Sequence, residues 1–158
     1  MLRLSKLTDY AVVVLVRLSR GTGVQTSPGI AATTGIPEPT VAKVLKTLAS
    51  GGLVASQRGA HGGYRLLRPL SAIPIADVIA AVDGPIALTA CVEASGVECE
   101  SQALCPMRGR WDPVNEAIQQ ALMAITLADM QEAAIPPVFR IPDPLPAAIA
   151  APAIPAAE

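Results

Sequence analysis

Hydrophobic residues recur at intervals of three and four along much of the first half of the chain, a spacing that is typical of amphipathic helices. Over residues 4–19 they form one broad apolar stripe, made of Leu4, Leu7, Ala11, Val14, Leu15 and Leu18. A short helix is predicted over residues 27–35, with Ser27 as its cap and Gly35 as its stop. Beyond a tight turn, the apolar spacing of residues 41–48 predicts another helix that ends at the next glycine pair. The pattern thus predicts a core helix followed by a helix-turn-helix.

A β-hairpin is predicted directly after these helices. The stretch LVASQRGAHGGYRLLRP contains two strand-like runs, Leu53–Arg58 and Tyr64–Arg68. Three glycines lie between them and predict the turn. A hairpin in this place, behind a helix-turn-helix, is typical of a wing.

Two further helices are predicted in the second half of the chain. Residues 74–82 have apolar positions at helical spacing and are followed by Asp83-Gly84-Pro85, which should end the helix. A long helix is predicted over residues 111–134, with Asp112 as its cap. Its apolar face consists of Val114, Ile118, Ala121, Leu122, Ile125 and Met130. This face needs a cover, which can be a second subunit or the chain's own domain.

The predicted fold class is therefore mainly α with a small β-hairpin, a winged helix-turn-helix plus a long C-terminal dimerisation helix. We divide the chain into a DNA-binding domain over residues 1–83, a cysteine loop over 84–110 and the dimerisation helix over 111–134. Residues 135–158 are rich in proline and alanine and cannot build a core, so we expect a disordered tail.

Charge is divided unevenly along the 158 residues. The net charge of −1 conceals +7 over residues 1–70 and −8 over residues 71–158. A basic first half indicates binding to a polyanion. A solvated surface on which the charges are merely distributed unevenly would give the same net charges. The apolar runs are too short, or too interrupted by charge and proline, for a targeting or membrane-spanning segment. We expect no membrane partner and a cytoplasmic location.

The polar face of the second helix of the helix-turn-helix should enter the major groove of a double-stranded DNA operator. The candidate DNA contacts are Ser27, Pro39, Thr40, Lys43, Lys46, Arg58 and His61. Arg58 at the base of the wing and His61 at its tip can reach the DNA backbone or the minor groove. The alternatives are an ordinary helix pair with a solvated face and, for the single histidine, a role as ligand or base, for which no polar partner lies nearby in sequence.

All three cysteines lie within a short stretch, with the spacing Cys91-x7-Cys99-x5-Cys105. Thiolates bind soft metals, and this spacing is wider than the knuckle of most structural zinc sites, so an iron–sulfur cluster fits it better. One disulfide with a spare thiol, or three inert thiols, are the alternatives. No histidine, acid–base pair or glycine-rich phosphate loop accompanies the cysteines, so the sequence does not indicate an enzyme.

Several stretches together carry a resemblance to a known group of proteins. They are LSKLTDYA, GIPEPTVAKVLKTLASGGLV, RGAHGGYRL, IPIADVIAAVDG, the three cysteines and the final helix. Over residues 1 to about 132 the chain resembles the IscR/NsrR/RirA group of winged-helix iron–sulfur transcription regulators, and most closely the subgroup that regulates SUF-type cluster assembly. The resemblance implies a homodimer, DNA binding through the winged helix-turn-helix, and a two-iron or four-iron cluster held by the cysteines.

The fourth cluster ligand is not given by the cysteines. Arg108 stands where the best-known member of the group has a histidine ligand. In the nitric-oxide-sensing relatives an aspartate of the first helix reaches across from the other subunit, and Asp9 matches that position. Glu93, Glu98, water or a small thiol are the competing ligands.

The sequence as a whole predicts a dimeric DNA-binding repressor whose operator affinity is controlled by an iron–sulfur cluster and which regulates cluster assembly genes. The alternative is a transcription regulator that carries no cluster and in which the cysteines form a thiol redox switch.

Overall fold

The computed structural model describes residues 4–59, 61–92, 95 and 105–132. Its helices are α1 (Lys6–Arg20), α2 (Ser27–Thr34), α3 (Glu38–Ser50), α4 (Ile75–Asp83), α5 (Asp112–Met123) and α6 (Leu127–Gln131). Strands β1 (Val54–Gln57) and β2 (Gly63–Leu66) lie between α3 and α4, and a 3₁₀ turn (Leu70–Ala72) precedes α4. Cys99, Glu93, Glu98 and the predicted tail lie outside the described residues. The predicted class, mainly α with a small hairpin, is confirmed.

The core lies where α1, α3 and α4 meet. Its fully buried side chains come mainly from the apolar stripes of these helices, and include Val14, Leu15, Val41, Val44, Leu45, Leu48 and Val78. Ile30 adds the one buried side chain of α2. The helical spacing read from the sequence therefore identified the core-facing side of α1 and α3. Leu4 is the exception, since it precedes α1 and is 52% exposed.

The helix-turn-helix forms as predicted, with one correction at its start. Gly35 ends α2 in the left-handed conformation, at a φ of 72°, where glycine is favoured. The cap of α2 is Thr26 and not Ser27, because Thr26 has the extended backbone of a cap residue and its hydroxyl accepts a hydrogen bond from the Gly29 N–H at 3.3 Å. Ser27 is the first residue of the helix.

The wing is a short antiparallel hairpin in which Val54 pairs with Leu66 and Gln57 with Gly63. Both strands are shorter than the predicted runs. A third stretch of backbone joins the outer side of β2, where Gln25 and Tyr64 exchange two hydrogen bonds of 2.9 and 2.8 Å. This bridge attaches the wing to the chain that leads into α2.

The long helix predicted over residues 111–134 is wrong as a single element, since α5 and α6 are separated by residues 124–126. The backbone of the break pairs with the segment before α4, through Ile75 N–H to the Ile125 carbonyl at 2.8 Å and Leu127 N–H to the Ile73 carbonyl at 2.9 Å. These bonds replace the helical ones that a continuous helix would make at this point.

The side chains around the break explain how α6 begins and what it buries. Thr126 caps α6 and forms a capping box with Asp129. Leu127 is fully buried, whereas the predicted face residues Val114 and Met130 are 45% and 48% exposed. Asp112 is the first residue of α5 and not its cap, a position that belongs to Trp111. A role for these helices in dimerisation stays a prediction.

Candidate nucleic-acid interface and metal centre

The outer face of α3 carries the candidate major-groove contacts. Exposed on this face are Pro39, Lys43 and Lys46, and Thr40 is half-buried. The opposite side of the helix is buried in the core. Ser27 is half-buried at the start of α2. The structure thus leaves both lysines of α3 free to meet phosphates or base edges.

The wing contributes a second set of exposed polar side chains. Arg58 is exposed next to the turn at Gly59, and His61 is exposed on the other side of that turn. Arg68 differs, because its guanidinium donates to Asp77 Oδ2 at 2.9 Å and to the Ala72 carbonyl at 3.1 Å. Arg68 therefore fixes the base of the wing to α4.

One further arginine of the basic half was not singled out from the sequence. Arg17 on α1 donates from Nε to the Thr33 hydroxyl of α2 at 2.8 Å. The bond attaches the first helix of the helix-turn-helix to α1. Spacing alone gives no signal for it, because the partners are 16 residues apart on different helices.

Two of the three cysteines are described, and both are free, half-buried thiols. Cys91 follows α4 by a short segment, and its Sγ lies 3.1 Å from the Thr89 hydroxyl. Cys105 begins a series of turns that leads into α5. Within the described residues no three potential metal ligands come together, and Cys99 lies outside that part. Soft sulfur donors on both arms of one loop suit an iron–sulfur group.

A buried side chain of α5 connects the two arms of the cysteine loop. The first arm, residues 84–91, leads to Cys91, and the second, residues 105–111, leads from Cys105 into α5. Asn115 of α5 is 3% exposed. Its Oδ1 accepts from the Leu88 N–H at 3.0 Å, and its Nδ2 donates to the Ile86 carbonyl at 2.9 Å. The segment that leads to Cys91 is thereby attached to the helix that follows Cys105.

The start of the same loop is attached to α1 through Asp83, the last residue of α4. Asp83 Oδ2 accepts from the buried Thr8 hydroxyl at 2.7 Å and from the Ser5 N–H at 3.2 Å. Burial opposes ionisation, but the hydrogen bonds from Ser5 and Thr8 outweigh it and hold the pKa of the Asp83 carboxyl below its ordinary value. Asp9 follows Thr8 on α1, and its side chain is exposed. The structure thus places Asp9 on the surface, beside the residues that meet the loop.

A cavity of about 620 Å³ lies between these attachments. Leu4, Ile79, Leu88, Ile118 and Leu122 are among its lining residues, and Lys6 and Asp83 are its charged members. The segment over residues 84–88 forms one wall of this cavity. Ile86 of this segment nevertheless packs against the hydrophobic core.

Comparison with known proteins identifies the family. Residues 4–133 match the family model of the Rrf2 proteins, described as iron-dependent transcriptional regulators. The chain belongs to the Rrf2 family. The resemblance inferred from the sequence motifs is confirmed at this level, and the relatives are transcription regulators.

Three similar proteins illustrate the extent of the match. The chain is 31% identical over 136 residues to the transcriptional regulator NsrR of Geobacillus kaustophilus, covering 83% of this chain and 90% of the relative. It is similar in structure to CymR, the global cysteine regulator of B. subtilis, with 29% identity, a TM-score of 0.62, and 84% and 98% of the two chains covered. It is also similar to T. potens IscR, with 29% identity, a TM-score of 0.59, and 85% and 89% covered.

Among the described residues, none of the helices α1 to α6 has the length and hydrophobicity needed to cross a membrane.

We predict that Asp83→Ala lowers the free energy of unfolding by about 1 kcal/mol at neutral pH, because the Thr8 hydroxyl and the Ser5 N–H lose their acceptor. Since the pKa of Asp83 is lowered in the folded protein, this contribution is complete above about pH 4 and is lost as the pH falls through the lowered value. Denaturant unfolding of the wild type and the variant at several pH values measures the difference.

The matched control is Glu116→Ala, which removes an exposed carboxylate from α5. It should change the free energy of unfolding by less than about 0.5 kcal/mol. An Asp83→Ala effect that stays constant down to pH 2 would contradict the assignment.

Proposed function

We propose that this Rrf2 protein is a homodimeric DNA-binding transcription regulator, acting as a repressor, whose operator affinity is controlled by an iron–sulfur cluster held by Cys91, Cys99 and Cys105. The observation that carries the proposal is the attachment of one cysteine-bearing loop to α1 through Asp83 and to α5 through Asn115. The SUF-like sequence motifs favour cluster assembly genes as its targets.

DNA binding is assigned to the winged helix-turn-helix. With α3 in the major groove, Lys43 and Lys46 reach phosphates or guanine edges and Thr40 reaches a phosphate or a thymine methyl. The exposed Arg58 and His61 of the wing are then available to the backbone or the neighbouring minor groove. Two winged helix-turn-helix domains related by a dimer axis favour a palindromic operator in double-stranded DNA.

The cluster, when bound, supplies a centre that oxidants, nitric oxide or iron shortage can remove. Cys91 and Cys105 are free and half-buried, so they combine access for loading with partial protection from solvent. A two-iron or a four-iron cluster is compatible with three thiolates and one further ligand. Asp9 is our choice for that ligand, because it is exposed on α1 next to the residues that hold the loop.

Control of DNA affinity follows from linkage. A ligand changes the equilibrium between two arrangements only by the difference in its affinity for them. A coupling of about 1 to 3 kcal/mol changes operator occupancy some 5 to 150-fold. The α1 helix is suited to this coupling, because Thr8 bonds to Asp83 directly before the loop and α1 packs on α3 through the shared core.

Removal of the cluster is the first test. Protein purified without oxygen should contain iron and sulfide, and its operator affinity should change about 5 to 150-fold when a chelator strips them. Iron and sulfide analysis, followed by gel shifts of both forms at one salt concentration, measures this. Equal operator affinity of the forms with and without the cluster would contradict control by the cluster, and the protein would then be a repressor that does not sense it.

Lys43→Ala and Arg58→Ala should weaken DNA binding without changing the iron content, because both side chains lie on the exposed DNA-facing surface and not in the cysteine loop. Loss of one phosphate contact should reduce the slope of log affinity against log salt by about 1. Fluorescence anisotropy at a series of salt concentrations gives this slope.

Arg20→Ala is the matched control, since it removes one exposed positive charge at the end of α1, outside α3 and the wing. Its slope should stay close to that of the wild type. A slope reduced equally by Arg20→Ala would show that general charge, and not contact by Lys43 or Arg58, governs binding.

Mixed dimers test Asp9 as a ligand from the partner subunit. One subunit carries Asp9→Ala with intact cysteines, and the other carries intact Asp9 with Cys91, Cys99 and Cys105 changed to serine. Ligation across the dimer leaves one complete site, so the mixed dimer should show the wild-type spectrum with about half the iron of a wild-type dimer.

Ligation within a subunit leaves no complete site, and the spectrum should then match that of the Asp9→Ala homodimer. Identical spectra and cluster lifetimes in all of these dimers would remove Asp9 from the ligand set. Glu93 and Glu98 would be the next residues to exchange.

A thiol redox switch that carries no cluster is the second candidate, and the two free thiols in the described part of the loop favour it. Cys91 and Cys105 are free thiols that could be oxidised to a sulfenate or a disulfide. A colourless protein whose DNA binding responds to thiol reductants would support this candidate over the cluster. Both candidates place the protein in the reducing cytoplasm, where free thiols persist.

A further inference from the structure

Asn115 is the only asparagine of the chain, and it belongs to no part of the DNA-binding surface. Among the described residues only Thr8 and Asn115 are buried polar side chains. Both ends of the Asn115 amide are used, one by the Leu88 N–H and the other by the Ile86 carbonyl. A buried amide with two backbone partners is costly to replace, because each partner would be left without a hydrogen bond.

The position of Asn115 in the chain gives these bonds their significance. Leu88 precedes Cys91 by three residues, and α5 begins seven residues after Cys105. The bond from Leu88 to Asn115 joins residues 27 positions apart. It therefore closes the cysteine loop between its two arms and limits how far the arms can separate.

Other contacts hold this stretch by packing, since Ile86 packs against the core and Val92 is 4% exposed. The hydrogen bonds described for residues 89–92 are local, such as Val92 N–H to the Thr89 carbonyl at 3.3 Å and the Thr89 hydroxyl to Cys91 Sγ. Among the hydrogen bonds described for residues 86–92, those of Asn115 are therefore the ones that reach α5. The cavity of about 620 Å³ lies against residues 84–88. Asp83 fixes where the loop begins on α1, but it has no bond to α5.

We propose that Asn115 is a positioning residue for the metal centre: by holding the segment before Cys91 against the helix after Cys105, it sets the separation of the two thiols. The cluster then binds to a loop that is already closed, and it does not have to order the arms itself. The consequence for cluster binding rests on the proposed function, whereas the spacing of the thiols does not.

Asn115→Leu tests this role, because leucine keeps the bulk of the side chain and removes both hydrogen bonds. Spin labels on Cys91 and Cys105 in the apo protein, with Cys99→Ser, report their separation by pulsed electron paramagnetic resonance. We expect a narrow distance distribution with Asn115 and a broader one with leucine. In the protein with all three cysteines, the anaerobic lifetime of the cluster should fall about tenfold, as for other residues that orient metal ligands.

Val44→Ala is the stability control, since Val44 is fully buried in the core and does not line the cavity against residues 84–88. It should lower the melting temperature without broadening the distance distribution. Equal broadening in Val44→Ala would assign the effect to general stability and overturn the proposal. Unchanged distances and cluster lifetime in Asn115→Leu would overturn it as well.

The two proposals fail in different ways. Wild-type protein that holds no iron contradicts the proposed function, yet the spin-label comparison still decides whether Asn115 spaces the thiols. If the wild type holds a cluster and the lifetime of that cluster is unchanged in Asn115→Leu, only the role of Asn115 is contradicted.

Discussion

The burial of one apolar stripe on α3 is the constraint on which the rest of the structure depends. Val41, Val44, Leu45 and Leu48 have no exposed surface and pack into the core with α1 and α4. A helix has 3.6 residues per turn, so fixing this side fixes the rotation of the whole helix. Lys43 and Lys46 consequently point outwards, and the left-handed turn at Gly35 sets the direction from which α3 is presented. The orientation of the proposed DNA-facing surface is therefore determined by the core.

The cysteine loop is subject to a different kind of constraint, which is polar and local. Asp83 attaches the start of the loop to α1, and Asn115 attaches the arm before Cys91 to α5. Hydrogen bonds of this type contribute about 1 kcal/mol each, far less than the apolar core. Bonds this weak allow a ligand to shift the closed loop relative to α1 while the winged domain stays folded, which is what a sensor of the proposed kind requires.

Sequence reasoning succeeded where local patterns decide the structure and failed where distant groups meet. The spacing of apolar residues in α1 and α3 identified both the helices and their buried sides. The same reasoning extended the last helix through residues 124–126, because the apolar pattern continues there and gives no sign that Ile73 and Ile75 will pair with that backbone. The cap of α2 was misplaced by one residue, since Thr26 and Ser27 are both good caps and only the backbone conformation separates them.

The candidate site shows the same division. The residue type and spacing of the cysteines and of the lysines of α3 predict binding to a cluster and to DNA, and these roles stay predictions. Asn115 could not be predicted, because an asparagine in the first turn of a helix is an ordinary surface residue until the fold brings Ile86 and Leu88 onto it. Its neighbour Val114 is 45% exposed on the same helix, as is Trp111 at 39% just before it. In the proposed dimer these apolar side chains would meet the partner, so one face of α5 would hold the cysteine loop and another the second subunit. A structural change in the loop would then be transmitted to the dimer interface through α5 alone.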